Sequence, residues 1–280
     1  MRKIALGREY YLFRLIARIN CLVEGNSIRS TERMTDTHRD TIMRLMVEVG
    51  SGCAALADKQ MRNLECRRIQ CDEIWTFCRM KQARIPRFTD RTKVGDQWTF
   101  VAIDPQTKLV PAYLVGKRTR DNAVAFMTDL SERLSNRVQI SSDSLSSYVD
   151  AVERAFGADV DYGQIVKFYD AEPIGPGRYG PPRVTGAERT VIAGSPDQAH
   201  ISTSHVERQN LTMRMSMRRF TRLTNAFSKK FDNLQAAVAL HFAHYNLVRL
   251  HKTLRVTPAM AANVTDRLWS LEELVERTSQ

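Results

Sequence analysis

Between Arg67 and Asp170 the hydrophobic period of this chain changes from helical to alternating, and that change restricts the fold more than any other feature. In "RRIQCDEIWTFC", Ile69, Cys71, Glu73, Trp75 and Phe77 fall on one face of a strand, and Gln70, Asp72, Ile74 and Thr76 on the other. "QWTFVAIDPQTKLVPAYLVG" follows as a hairpin, with Asp104-Pro105 supplying the turn. "DNAVAFMTDLSERLS" is expected to be a helix, "RVQISSD" a short strand, "SYVDAVERAFG" a helix and "QIVKFYD" a further strand. Three strands in succession and then an alternation of helix and strand predict an α/β fold: a mixed sheet with helices packed on it.

Both flanks are helical by pattern. "EYYLFRLIARINCLVEG" has helical apolar spacing ended by Gly25, and "NSIRSTERMTDTHRDTIMRLMVEVG" predicts helix, short turn, helix, ending at Gly50. The segment at about 171–200, with "EPIGPGRYGPPRVTG", is too rich in proline and glycine for a regular element and is expected to be an exposed loop. Helices return after Ser202, with Pro258 as a first-turn proline. The division expected is a helical domain over 1–62, a core over 63–225 and C-terminal helices over 226–280.

The formal net charge of +11 favours a polyanionic partner, nucleic acid before an anionic membrane. The N-terminal stretch lacks the apolar core of a signal peptide, and no run is long enough to span a bilayer, so a cytoplasmic protein without a membrane partner is expected. Cys21, Cys53, Cys66, Cys71 and Cys78 show no paired CxxC spacing and are read as reduced thiols.

Three acids occupy positions that ask for a reason. Asp72 lies inside the first strand, where aspartate is unfavourable; a solvent-facing place on an edge strand would also account for it. Glu73 competes with it, but shares its face with Cys71, Trp75 and Phe77, which reads as core, so Asp72 is preferred. Asp143 stands where a strand ends and a helix begins. Open α/β sheets place their chemistry there, and aspartates commonly cap helices there. Glu207 completes the capping-box pattern Ser204-His205-Val206-Glu207. It also leads a line of bases, with Arg214 and Arg218 on a face adjacent to the apolar stripe Val206, Met213, Met217 and Phe220, although a basic line can equally be a solvated face. Carboxylates are hard ligands suited to Mg²⁺ or Mn²⁺. Two such ions, about 3.5–4 Å apart, serve phosphodiester chemistry, and three acids are the least that can hold them. A chain with 31 acids offers many triples, so spacing alone does not select this one.

"CDEIWTFC", "SSDSLSSY", "TSHVERQNLTMRMSMRRF" and "HYNLVRLHKTLRVTPAMAA" resemble, in order and approximate spacing, the blocks of bacterial insertion-sequence transposases of the IS1 type. The resemblance runs from about Arg67 to Trp269, and "TSHVERQNLTMR" is its most specific part. It implies a DDE transposase with an RNase H-like core, in which Asp72, Asp143 and Glu207 match the metal-binding catalytic triad for two Mg²⁺ or Mn²⁺ ions. It further implies double-stranded DNA as partner, both element ends and target, a homo-oligomer on DNA and a place at the bacterial nucleoid. Arg208, Arg214, Arg218, Arg219 and Arg222 would then lie along the DNA backbone. Ser144 stands where the family often has glycine, and the cysteine zinc ribbon with which such proteins often begin is not visible here.

"SIRSTERMTDTHRDTIMRLMVEVG" suits a helix-turn-helix with Ile28, Met34, Ile42 and Leu45 buried, Asp36 at the turn, and His38, Arg39, Thr41 and Arg44 facing the major groove. A helical hairpin for dimer contact fits the same pattern, and the resemblance favours DNA binding. His241 and His244 are expected on a polar helix face, Phe242, Tyr245 and Leu250 in packing, and Trp75 and Trp98 in the core. The function expected is a transposase that cuts element ends and joins the freed 3′-hydroxyls to target DNA. A DNA-binding regulator derived from such an enzyme, or a nuclease on the same fold, are the alternatives.

Overall fold

The computed structural model describes residues 2–170, 183–221 and 224–278. Three helices come first: α1 (Arg2–Val23), α2 (Ile28–Thr35) and α3 (Arg39–Gln60). Gly25, with φ of +82°, breaks the chain after α1. The Ser27 hydroxyl accepts from the Ser30 amide to start α2, and Asp36 ends it in the left-handed region at φ 47°, the conformation its short polar side chain tolerates. Ile42 and Leu45 are buried as expected, Ile28 is half-buried, and Met34 is 56% exposed instead of buried.

Gly50 does not end α3. It sits in mid-helix, buried, where a Cβ would lie 2.2 Å from the Ala236 carbonyl oxygen. Glycine is there to let α3 and α7 (Phe231–Leu247) touch backbone to backbone. The signal for a helix end and the signal for a close helix crossing are the same residue.

The sheet follows: β1 (Arg68–Cys78), β2 (Gly95–Ile103) and β3 (Tyr113–Gly116), then α4 (Arg120–Ser131), β4 (Val138–Ser142), α5 (Ser146–Phe156), β5 (Val160–Asp170) and β6 (Arg183–Ala193). Its order is β3-β2-β1-β4-β5-β6. β1 and β2, β2 and β3, and β5 and β6 run antiparallel, whereas β4 runs parallel to both β1 and β5. This mixed α/β architecture is compatible with an RNase H-like core. Asp104 closes the turn after β2 by accepting from the Gln106 amide and the Thr107 hydroxyl. Residues 183–193, inside the segment expected to be loop, are instead strand β6, and 171–182 lie outside the described residues.

After the sheet come α6 (Ser204–Ser216), α7, α8 (Pro258–Ala261) and α9 (Leu271–Thr278). The side chain of Asn246, buried on α7, exchanges hydrogen bonds with both the amide and the carbonyl of Val110, and the Tyr245 hydroxyl donates to the Lys108 carbonyl. The "YN" of the C-terminal block is thus a clasp between α7 and the β2–β3 connection. His241 is buried beside Phe242, not on a polar face, and burial pushes it down to about 3. Phe242 and Tyr245 pack as expected, whereas Leu250 is 55% exposed. Among the described residues no helix is long and apolar enough to cross a membrane. All five cysteines are free.

Candidate active site

The two faces of β1 lead to different helices. On one, Gln70 and Asp72 look toward α6. The Gln70 Oε1 accepts from the amides of His205 and Val206, so a side chain of the sheet caps the first turn of α6. On the other face, Glu73 is opposite Phe100 of β2. The Phe100 ring meets Phe126 of α4 and Tyr148 of α5 at 5.7 and 6.3 Å between centroids.

Register then places Asp143. β4 pairs with β1 through Ser142 opposite Cys71 and ends there. The next residue of each strand is Asp143 on one and Asp72 on the other. Ligand oxygens of Asp72, Glu73 and Asp143 all lie within 4.8 Å of one another. Asp143 also serves the turn, since its Oδ1 accepts from the Leu145 amide at 3.1 Å. The two uses weighed from sequence therefore coexist.

The two neighbours on β1 have different surroundings. The Glu73 side chain is 1% exposed and is held by Arg118, whose Nε and Nη2 both lie 3.0 Å from Oε2. The Tyr148 hydroxyl approaches Glu73 without a well-formed hydrogen bond. Burial pushes the Glu73 carboxyl up to about 7, against the pull of Tyr148 and Arg118. Arg118 also reaches to 3.7 Å from Asp143 Oδ2 and lies over the Trp98 ring at 4.9 Å. Asp72 has no cationic side chain as partner among the described residues; Asn210 Nδ2 donates to its Oδ2 at 2.9 Å. Burial raises Asp72 to about 6, and the charges of Asp143 and Glu207 add to the rise.

Glu207 lies one helical turn before Asn210, on the side of α6 that faces Asp72. It does not form the expected capping box. Thr203, not Ser204, is the N-cap, and the Thr203 hydroxyl donates to Glu207 Oε1 at 2.6 Å. The Lys167 ammonium of β5 pairs with the same oxygen. The structure thus brings Asp72 and Asp143 together with Glu73, and sets Glu207 near enough to act on Asp72 electrostatically while pairing it with Lys167. Asn210, Gln70, Lys167 and Arg118 were not singled out by sequence reasoning. Of these only Asn210 carries a signal, its i+3 spacing from Glu207.

The expected DNA-contacting residues divide. Arg39, Arg44 and Arg218 line one cleft of about 1390 Å³ between α2, α3 and the segment joining α6 to α7, with Arg29, Lys229 and Lys230. His38 is exposed and caps α3, its Nδ1 accepting from the Asp40 amide, and Thr41 is half-buried. Arg208 is exposed, whereas Arg214 donates to the Phe220 carbonyl within its own segment. Arg222 lies outside the described residues.

No protein-family model matches the chain, and no curated protein matches it. Among solved structures, the chain is similar to a Mos1 transposase paired-end complex with left transposon end, at 15% identity and a TM-score of 0.20. That match covers 50% of this chain and 56% of the other. A likeness at this level settles neither fold nor function.

Proposed function

We propose that the chain is a DNA transposase of the DDE class, resembling the IS1 type, in which Asp72, Asp143 and Glu207 hold two divalent ions, Mg²⁺ or Mn²⁺. The observation that carries this is the apposition of Asp72 and Asp143 across the β1–β4 pair, with Asn210 and Glu207 presented to Asp72 by α6. Asp72, whose proton affinity is raised by burial and by the charges of Asp143 and Glu207, suits a cation, and carboxylate oxygens suit a hard one. Bound there, such ions would activate an attacking oxygen and stabilise the leaving one.

The chain's own residues have the remaining work. Glu73 neutralises Arg118 and holds that guanidinium beside Asp143, so Glu73 acts as an anchor and not as the third ligand. Gln70 fixes the start of α6, and with it the height of Glu207 along β1. Lys167 occupies Glu207 and must yield when a cation binds. The cleft holding Arg39, Arg44 and Arg218 offers its cations to duplex backbone, with His38, Arg39, Thr41 and Arg44 forming the reading edge of a helix-turn-helix. Arg208 and Arg214 extend the basic line along α6. Paired cutting calls for more than one copy on the DNA.

The test is Mg²⁺-dependent cleavage and strand joining on the ends of the element that carries this reading frame. Asp143→Asn is expected to lose both reactions and keep DNA binding; full activity in that variant refutes the assignment. Hydrolysis without joining would point to a nuclease, and binding without either reaction to a regulator.

A further inference from the structure

β1 continues beyond the acids. Trp75 and Phe77 follow Asp72 on the same strand, and both rings are half-exposed rather than in the core. Their centroids are 5.9 Å apart, and Phe77 lies 4.6 Å from Phe227. These three rings line a second cavity, of about 510 Å³, within the range of roughly 300–1,000 Å³ typical of ligand sites. Its described lining carries Arg79, Lys81, Arg84 and Arg219, and no acid.

Arg219 marks the place where this cavity meets the larger cleft, because it lines both. Its guanidinium donates to the Ser228 hydroxyl and approaches the Met46 sulfur, each at 2.8 Å. Among the described residues no carboxylate pairs with it. Burial pushes it down to about 10. A half-buried cation with only neutral partners favours an anion that can reach it.

Aromatic faces open to a cavity, ringed by cations without acids, match the chemistry of an unpaired nucleic-acid strand. Bases supply π-faces and the backbone supplies the anions. A duplex cannot offer those faces, since its bases are already stacked on one another. An acidic peptide would satisfy the cations but not three adjacent rings.

We propose that the cavity is a stacking site for unpaired bases of single-stranded DNA, with Trp75, Phe77 and Phe227 taking base faces and Arg79, Lys81, Arg84 and Arg219 taking phosphates. The inference rests on the proposed function for the identity of the polymer and adds its form: a strand held unpaired.

The test uses the full chain in EDTA, so that it does not depend on the acids. Fluorescence anisotropy compares a labelled oligothymidylate with a duplex of equal length. Trp75→Ala is expected to weaken the single strand by about tenfold and to leave the duplex within about twofold, while Trp75→Phe keeps most of the affinity. Trp75→Leu, which preserves packing without a π-face, guards against a folding defect and is expected to behave as Trp75→Ala does. Equal binding by Trp75→Leu and Trp75→Phe overturns the proposal. So does equal loss for both oligonucleotides, a wild type that ignores the single strand, or displacement of the single strand by an acidic peptide at equal concentration. If the stacking preference holds and no cleavage occurs, the cleavage reading alone fails; cleavage with an indifferent Trp75 refutes the stacking site alone.

Discussion

At the scale of single residues, the site is a case of charge assembled at a cost to the fold. Asp72 is raised from 3.8 to about 6, and Glu73 from 4.5 to about 7. Between these limits the folded chain binds more protons at both groups than the unfolded chain does. Their combined effect is therefore to lower stability as pH rises from about 4 to 7, with the full penalty present above about pH 7. Asp72→Asn removes one of these charges. It is expected to raise the melting temperature by a few degrees at pH 8 without metal, while abolishing cleavage; an unchanged or lower melting point would show that the carboxylate is not under strain. The sequence drew attention to Asp72 because an acid inside a strand is unfavourable, whereas Asp143 at a strand end reads equally as a cap and was singled out by the family resemblance. The choice between Asp72 and Glu73 rested on which face reads as core; the 1% exposure of the Glu73 side chain agrees with that reading, whereas Trp75 and Phe77 on the same face are half-exposed. Arg118 and Lys167 could not be found in this way. Single cations at ordinary surface spacings acquire meaning only when the chain brings them to an acid.

At the scale of elements, two contacts set the geometry. Gln70 accepts two amides of the α6 first turn. Gln70→Ala leaves these buried donors without a partner, at about 1–3 kcal/mol, and loosens the helix that carries Glu207. The expected result is a lower melting temperature together with slower cleavage, while duplex binding is kept. Gly50 decides how α3 meets α7. Alanine is the better helix former by about 1 kcal/mol, yet its Cβ would lie 2.2 Å from a backbone oxygen. The clash wins, since overpacking against rigid backbone costs about 1–3 kcal/mol. Gly50→Ala is expected to shift the urea midpoint downward, and an upward shift would mean that the helices part easily. β1 was legible from its alternation and β2 from its turn. β6 was not, because a proline- and glycine-rich approach hid a strand whose partner, β5, supplies the pairing. Gly50 was misjudged because helix termination and helix crossing use the same residue, and Met34 because an amphipathic pattern does not say which neighbour is present to cover it.

At the scale of the whole molecule, the chain carries a net charge of +11, and both cavities are lined by more cations than acids, with Asp40 and Glu48 in the larger and no acid in the described lining of the smaller. Affinity for duplex DNA should fall steeply with salt, and Arg44→Ala and Arg218→Ala should each flatten the log–log slope by about 1 if each guanidinium contacts a phosphate. A slope unchanged in either variant removes that residue from the interface. The succession of strands and helices from β1 to β5 was readable in the sequence, but their order in the sheet, with β6 at its edge, comes from the structure. The meeting of α6 with β1 was not, because it depends on residues 135 positions apart. The central claim is that the third ligand is Glu207 on that helix and not the closer Glu73. The most direct measurement is Mg²⁺-dependent cleavage of the element ends by Glu207→Gln and Glu73→Gln in parallel, with folding and DNA binding checked. The account predicts a loss of at least about a hundredfold for Glu207→Gln and substantial activity for Glu73→Gln; a fully active Glu207→Gln, or an inactive but folded Glu73→Gln beside it, would contradict it.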